Sequence, residues 1–182
     1  GYEFLRLLRR ASARIGLDQA AGMPVASCSL SEAELPFIGD AADGHLSSSV
    51  YFSTIRSPEN ARFTARWDAR YGRLGRACAD AEAAYVAVHL LARAVVRAAD
   101  TGLTAVREAA RGLHFQAPQG LVTIDPENLH CAMRPRIGRS TRDGTFDLLF
   151  EESGPVQPDP YLVWSSGAPL ARPGPAHLRL VP

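Results

Sequence analysis

Apolar residues at positions 4, 5, 7, 8, 11 and 15 recur at helical spacing, with Arg6, Arg9, Arg10 and Arg14 between them. That pattern predicts an amphipathic helix closed by Gly16. Residues 25–30 (VASCSL) follow Gly22-Met23-Pro24 and read as a short buried strand. Ser31-Glu32-Ala33-Glu34 has the form of a capping box, so a short helix should open there. The same order then repeats. Residues 46–52 (LSSSVYF) read as a strand and 53–56 as a connector. Ser57-Pro58-Glu59-Asn60 next supplies a cap, a proline at the first helical position and an early acid, and the helix should run to about Tyr71. A loop is expected over 72–75.

Asp80 opens the clearest helix, residues 81–99, whose apolar positions surround most of its circumference, as in a helix covered on more than one side. A further helix is expected over 103–110, closed by Gly112. The chain then becomes strand-rich. In 115–130 (FQAPQGLVTIDPENLH), Pro118 and Gly120 mark a turn, 121–124 a strand and Asp125-Pro126-Glu127-Asn128 a second turn. Residues 131–139 and 146–151 read as strands joined by a hairpin near Arg142-Asp143-Gly144. Prolines dominate from Gly154, which predicts an extended tail with a short strand at 161–164.

This alternation predicts the α/β class: a three-layer sandwich with a mostly parallel sheet, a terminal β-hairpin and an extended tail. Three units are expected: an α/β lobe over 1–116, strands and a hairpin over 117–153, and a Pro-rich tail over 154–182. Ligands of such sheets sit at the carboxyl ends of strands, beside helix amino ends. The turns after Ser29 and Phe52 then share one functional edge.

The chain of 182 residues is long enough to bury a core without disulfide or metal staples. Its hydrophobic share of 46% and net charge of +1 suit a globular protein and give no basic excess for nucleic acid. Glu82, His89, Arg93 and Arg97 interrupt the longest apolar run, so it is no membrane span. Cys28, Cys78 and Cys131 lack the spacing of a zinc or redox motif and are compatible with three thiols or with one disulfide and a spare. Residues 2–14 read as an arginine-rich amphipathic helix rather than as a signal peptide, so the chain is expected to be mature, cytosolic or truncated. The five histidines lack metal spacing, and the arginines at 134, 136, 139 and 142 are expected on a solvated sheet face. No Gly-x-Ser-x-Gly elbow or other nucleophile context occurs, so no catalysis, cofactor or metal is expected.

The runs PVASCSLSEAEL (24–35), YFSTIRSPEN (51–60), EAAY (82–85) and APQGLVTIDPENLH (117–130), with PRIGR (135–139) and PVQPDPY (155–161), resemble successive blocks of one family. It is the type I periplasmic solute-binding proteins, in the branch that binds urea and short-chain amides. The resemblance covers nearly the whole chain and implies the carboxyl-terminal half of a two-lobed protein that closes on its ligand. The amino-terminal lobe, and a strand before the first helix, would lie outside these residues. It makes 117–130 an approach to the hinge, with Pro118, Gly120 and Pro126 setting the path rather than touching ligand.

A neutral amide needs donors and acceptors around a small planar group. By the resemblance these come from strand-end loops, first Ser29, Ser31 and Glu32. Ser31 and Glu32 have a second reading as a helix cap and its favourable acid. Tyr51 and Phe52 are candidates to stack on a planar ligand, although one of two successive strand residues should be structural. Tyr85 is the last candidate, with a core role as its other reading. The implied partners are a small polar ligand and an ABC permease, or, for a cytoplasmic amide sensor on the same fold, a regulator of transcription antitermination. A branched-chain amino acid is a further ligand class. No direct nucleic-acid contact is expected, and two copies could pair along an exposed edge.

Overall fold

The computed structural model describes residues 2–16 and 24–160. Helix α1 (Tyr2–Arg14) is followed by strand β1 (Ala26–Ser27), the short helix α2 (Leu35–Ile38), a 3-10 turn (Gly39–Ala42) and strand β2 (Leu46–Ser49). Helix α3 spans Pro58–Tyr71, α4 Ala79–Ala98 and α5 Leu103–Ala110. A second 3-10 turn, Gly72–Leu74, falls within the expected loop 72–75, and strands β3 (His114–Ala117), β4 (Gly120–Ile124), β5 (Cys131–Ala132), β6 (Arg136–Ser140) and β7 (Phe146–Glu151) complete the described elements.

Two sheets result. The first has the order β1-β2-β6-β7, and the second is the meander β3-β4-β5. The expected α/β class is observed, with parallel pairing among the described strands confined to β1 and β2. The expected strand at 161–164, and the tail beyond residue 160, lie outside the described residues.

Local chemistry explains where expected elements hold and where they end. Ser57 caps α3 by accepting from the Asn60 N–H at 3.0 Å, and Pro58 occupies the first turn as expected. The capping box forms one turn early: the Ser31 N–H donates to Glu34 Oε2 at 2.7 Å, and α2 begins at Leu35. The expected strand 25–30 shrinks to β1. The Ser27 hydroxyl accepts from the Ser29 and Leu30 N–H groups, and this local turn takes the donors a ladder would use. The expected strand 46–52 stops at Ser49: Tyr51 and Phe52 lie beyond it, both enclosed, and the Tyr51 hydroxyl is held by Asn60 at the start of α3.

The run 131–139 is likewise not one strand. Pro135 has no N–H to donate, and the chain leaves the second sheet after Ala132 to join the first at Arg136. Strand β3 was not expected. It pairs with β4 across the two-residue turn Pro118-Gln119, and Gly120 takes the positive φ of 114° that the turn needs. The tight turn at Arg142-Asp143-Gly144 joins β6 to β7 as anticipated, with Gly144 at φ 72°.

Helix α4 departs from its expected double coverage. Glu82, Val86, Leu90 and Ala94 form one buried stripe over the second sheet, while Val88, Leu91 and Val96 are 67%, 58% and 80% exposed. Around the first sheet, Leu5, Leu30, Leu35, Ile38, Phe52 and Phe146 form one core. Val86, Leu90, Phe115, Val122 and Ile124 form another beneath α4. Tyr51, Ile55, Phe63 and Ala77, with Tyr85 and Leu148 against them, bridge the two.

Candidate functional site

Because β1 and β2 run parallel in register, with Ala26 beside Leu46 and Ser27 beside Ser47, their carboxyl ends emerge side by side. The loops that follow are joined directly. Glu32 Oε1 accepts from the Ser53 N–H at 2.6 Å, which staples the turn after β1 to the turn after β2. Glu32 is almost fully enclosed, and desolvation raises its pKa against the Ser53 N–H bond and the nearby Arg76 charge. The Ser53 hydroxyl lies beside the same carboxylate without a well-formed hydrogen bond. Glu32 Oε2 and the Ser53 hydroxyl are both enclosed and without a partner, so this buried acid, fixed by one short bond, keeps acceptor capacity in reserve.

The aromatic pair splits by role. The Tyr51 hydroxyl donates to Asn60 Oδ1 at 2.9 Å, and Asn60 Nδ2 donates to the Ser53 and Ile55 carbonyls at 2.9 and 2.7 Å. One asparagine at the start of α3 therefore shapes the whole connector 53–55. Burial holds the Tyr51 phenol far above its ordinary pKa, with Glu32 and Glu82 adding repulsion, so it stays a neutral donor. Phe52 packs on Phe146 with ring centroids 4.8 Å apart.

Tyr85 enters the same cluster from α4. Its ring lies 4.9 Å from Phe63, whose ring is 6.0 Å from Tyr51, so an aromatic chain links the β2 end to the second sheet. Tyr85 also packs against His89 and Phe115. The structure thus gathers Glu32, Tyr51, Phe52 and, through Phe63, Tyr85. Ser29 is exposed, with its hydroxyl 3.3 Å from that of Ser27, and Ser31 bonds Glu34 through both its N–H and its hydroxyl. Ser29 helps line a cavity of about 150 Å³ with Phe4, Val25 and His45.

Several polar residues central to this arrangement carried no sequence signal beyond their neighbours. Asn60 read only as the end of a capping sequence, and Glu82 only as an interruption of the longest apolar run and the first residue of the EAAY block. Arg136, expected on a solvated face, is buried and bonds Glu151 Oε2 at 2.6 Å and the Gln119 carbonyl at 2.9 Å. Arg134, Arg136, Glu151, Gln119, Arg56 and Ser57 line a pocket of about 350 Å³ between the two sheets.

His45 is a packed histidine: it accepts at Nδ1 from the Val25 N–H and donates from Nε2 to the Ala41 carbonyl, and burial lowers its pKa. Cys28, Cys78 and Cys131 are free thiols. Among the described residues no cluster of His, Cys, Asp or Glu could hold a metal ion, and no helix is long and apolar enough to cross a membrane.

The model of the periplasmic binding protein domain matches residues 1–167. A protein named limonene hydroxylase from Geobacillus stearothermophilus is 28% identical over 121 residues, 66% of this chain and 22% of that protein. The Leu/Ile/Val-binding protein homolog 6 of Brucella abortus is 28% identical over 119 residues, 63% of this chain and 30% of the relative. Among solved structures, the solute-binding protein of an ABC transporter from Rhodopseudomonas palustris HaA2, in complex with p-hydroxybenzoic acid, superposes with a TM-score of 0.74 at 25% identity. That superposition covers 90% of this chain and 44% of the other. A leucine-binding protein from Thermotoga maritima shares the fold, with a TM-score of 0.66 at 21% identity, covering 82% of this chain and 42% of that one. The chain therefore spans less than half the length of the relatives it matches.

Proposed function

The chain belongs to the periplasmic binding protein domain family, and from that premise we propose that it supplies half of a two-lobed solute-binding protein serving an ABC transporter. The solute seats against the carboxyl ends of β1 and β2, and the protein works by binding rather than by catalysis. The observation that carries this reading is the Glu32–Ser53 staple. An enclosed carboxylate and a neighbouring hydroxyl join the loops after β1 and β2, and the carboxyl ends of strands are where α/β sheets generally receive ligands, which supports this reading. Solute capture selects a closed arrangement of two lobes, and the bound solute is delivered to a permease on the periplasmic or outer side of the membrane.

The ligand is a small planar solute with an N–H or O–H that Glu32 can accept. Short amides and urea meet that requirement. A hydroxylated aromatic acid is the second reading, favoured by the p-hydroxybenzoic acid held by the R. palustris relative and by the aromatic chain from Tyr51 through Phe63 to Tyr85. A cytoplasmic amide sensor that holds an antitermination regulator would use the same edge.

A thermal-shift panel on the complete two-lobed protein tests the assignment, with acetamide, urea, 4-hydroxybenzoate, benzoate and leucine as probes. At least one amide or hydroxybenzoate should raise Tm at micromolar to millimolar concentration. Stabilisation by leucine alone would sink the ligand class, and no shift with any probe would sink solute binding. These 182 residues alone should bind the same solute at least tenfold more weakly, as expected of half a cleft.

A further inference from the structure

A buried polar relay runs between the two sheets. Glu82, in the first turn of α4, is 0% exposed. Its Oε2 accepts from Gln119 Nε2 at 2.9 Å and its Oε1 from the Gln119 backbone N–H at 3.3 Å. Gln119 sits at the tip of the β3–β4 hairpin, and its carbonyl accepts from Arg136 Nη2 at 2.9 Å. Arg136 carries the relay into the first sheet. Its Nε bonds Glu151 Oε2, and its Nη1 donates to the carbonyl of Val50, the residue before Tyr51. A carboxylate on α4 is thus tied through two side chains to the end of β2.

We infer that Glu82 is a positioning residue. Through Gln119 and Arg136 it holds residues 50–53 against the hairpin, and it makes the strength of that junction depend on pH. The inference concerns the junction alone and stands whichever solute the edge receives.

The groups facing Glu82 set the sign. Arg136 approaches from β6, the Tyr51 phenol from the end of β2, and the hairpin presents the neutral Gln119 amide. Glu32, Cys78 and Asp68 act on the same Tyr51 phenol, and Glu151 and Arg134 lie beyond Arg136. Desolvation pushes the Glu82 carboxyl up to about 7, although the Gln119 bonds and the Arg136 charge pull it down. Opening the junction returns the group to water and to its ordinary acidity, so opening releases a proton between those two values. The junction is therefore tightest in acid, loosens as pH rises to about 7, and changes no further above. Across that span the opening constant should rise on the order of a hundredfold.

Hydrogen exchange of the full 182-residue chain tests this, read as protection factors corrected for intrinsic rate between pH 5.5 and 8. In the unaltered protein, protection at 114–124 and 50–53 should fall as pH rises and level off near 7. Glu82→Gln keeps a neutral acceptor and should hold the acid-side protection at every pH. Gln119→Ala removes the side-chain bond that lowers the carboxyl, so the midpoint should move to higher pH, which keeps the test alive if the glutamine variant fails to fold. Three results would overturn the inference: protection independent of pH in the unaltered protein, an unchanged pH profile in either variant, or a loss spread evenly over the molecule rather than confined to the junction.

Discussion

Replacing Gly138 by alanine adds one methyl group at the centre of β6, where the chain leaves no room for it. The new Cβ would lie 2.9 Å from Phe52 Cζ and 3.0 Å from both Phe52 Cε1 and Phe146 Cβ. Favourable carbon contact begins at about 3.5 Å, so the Phe52 ring must retreat by roughly half an ångström. It has nowhere to go, because Phe52 and Phe146 are 1% and 0% exposed and pack on each other. Gly138 is not among the glycines of positive φ, so the cost is steric and not conformational. Overpacking of a closed core costs about 1–3 kcal/mol. With a urea slope of about 2 kcal/mol/M, a cost of about 2 kcal/mol lowers the unfolding midpoint by about 1 M at unchanged slope. Urea titration followed by circular dichroism reads this directly. Phe52→Leu, harmful alone, should recover at least about 1 kcal/mol when combined with Gly138→Ala, since the two changes share one contact. A midpoint equal to that of the unaltered protein, or strictly additive losses, would refute the steric argument. Confirmation would make Phe52 the floor beneath the candidate edge and not a free wall for ligand.

Other perturbations separate the remaining contributions. Asn60→Ala deletes the acceptor of the Tyr51 hydroxyl and the donors to two carbonyls, and should cost about 2–4 kcal/mol in chemical denaturation, whereas Tyr51→Phe should cost about 1 kcal/mol. Ser57→Ala removes the α3 cap and should cost about 1 kcal/mol, with the loss of helicity confined to the first turn in exchange experiments. For Glu151, burial raises the carboxyl, but the bonds from Arg136 and Arg134 outweigh it and hold the group below its ordinary range. Its contribution is therefore present above the ordinary carboxylate range and is lost as pH falls through the depressed value. Because this carboxylate is about a third exposed, Glu151→Gln should cost on the order of 1 kcal/mol at neutral pH. The difference from the unaltered protein should shrink in urea titrations at progressively lower pH.

The residues that punctuate the chain made much of the fold legible. Ser57 and Pro58 placed the start of α3, Gly112 the end of α5, and Arg142-Asp143-Gly144 the last hairpin, because each acts through its own backbone. Strand ends were not legible, since they depend on distant partners. Tyr51 leaves β2 because Asn60 holds its hydroxyl, and Pro135 divides 131–139 between two sheets that the sequence does not announce. The helical pattern of α4 was clear, but which face would be covered depended on the second sheet. Within the candidate site, Glu32 was named through the family resemblance, and Tyr51 and Tyr85 as aromatic candidates at a strand end and near a helix start. The partners that fix them, Ser53, Asn60 and Phe63, could not, because hydrogen bonding and ring packing across the fold leave no spacing in the sequence.

The most direct test of solute binding at the joined ends of β1 and β2 is the amide spectrum of the complete protein, titrated with the solute that stabilises it. Binding at that edge should give saturable shifts at residues 28–32 and 51–56, with the Tyr85 ring resonances moving in step. Shifts confined to α1, α5 or the β6–β7 hairpin, with these segments unmoved at saturation, would contradict it.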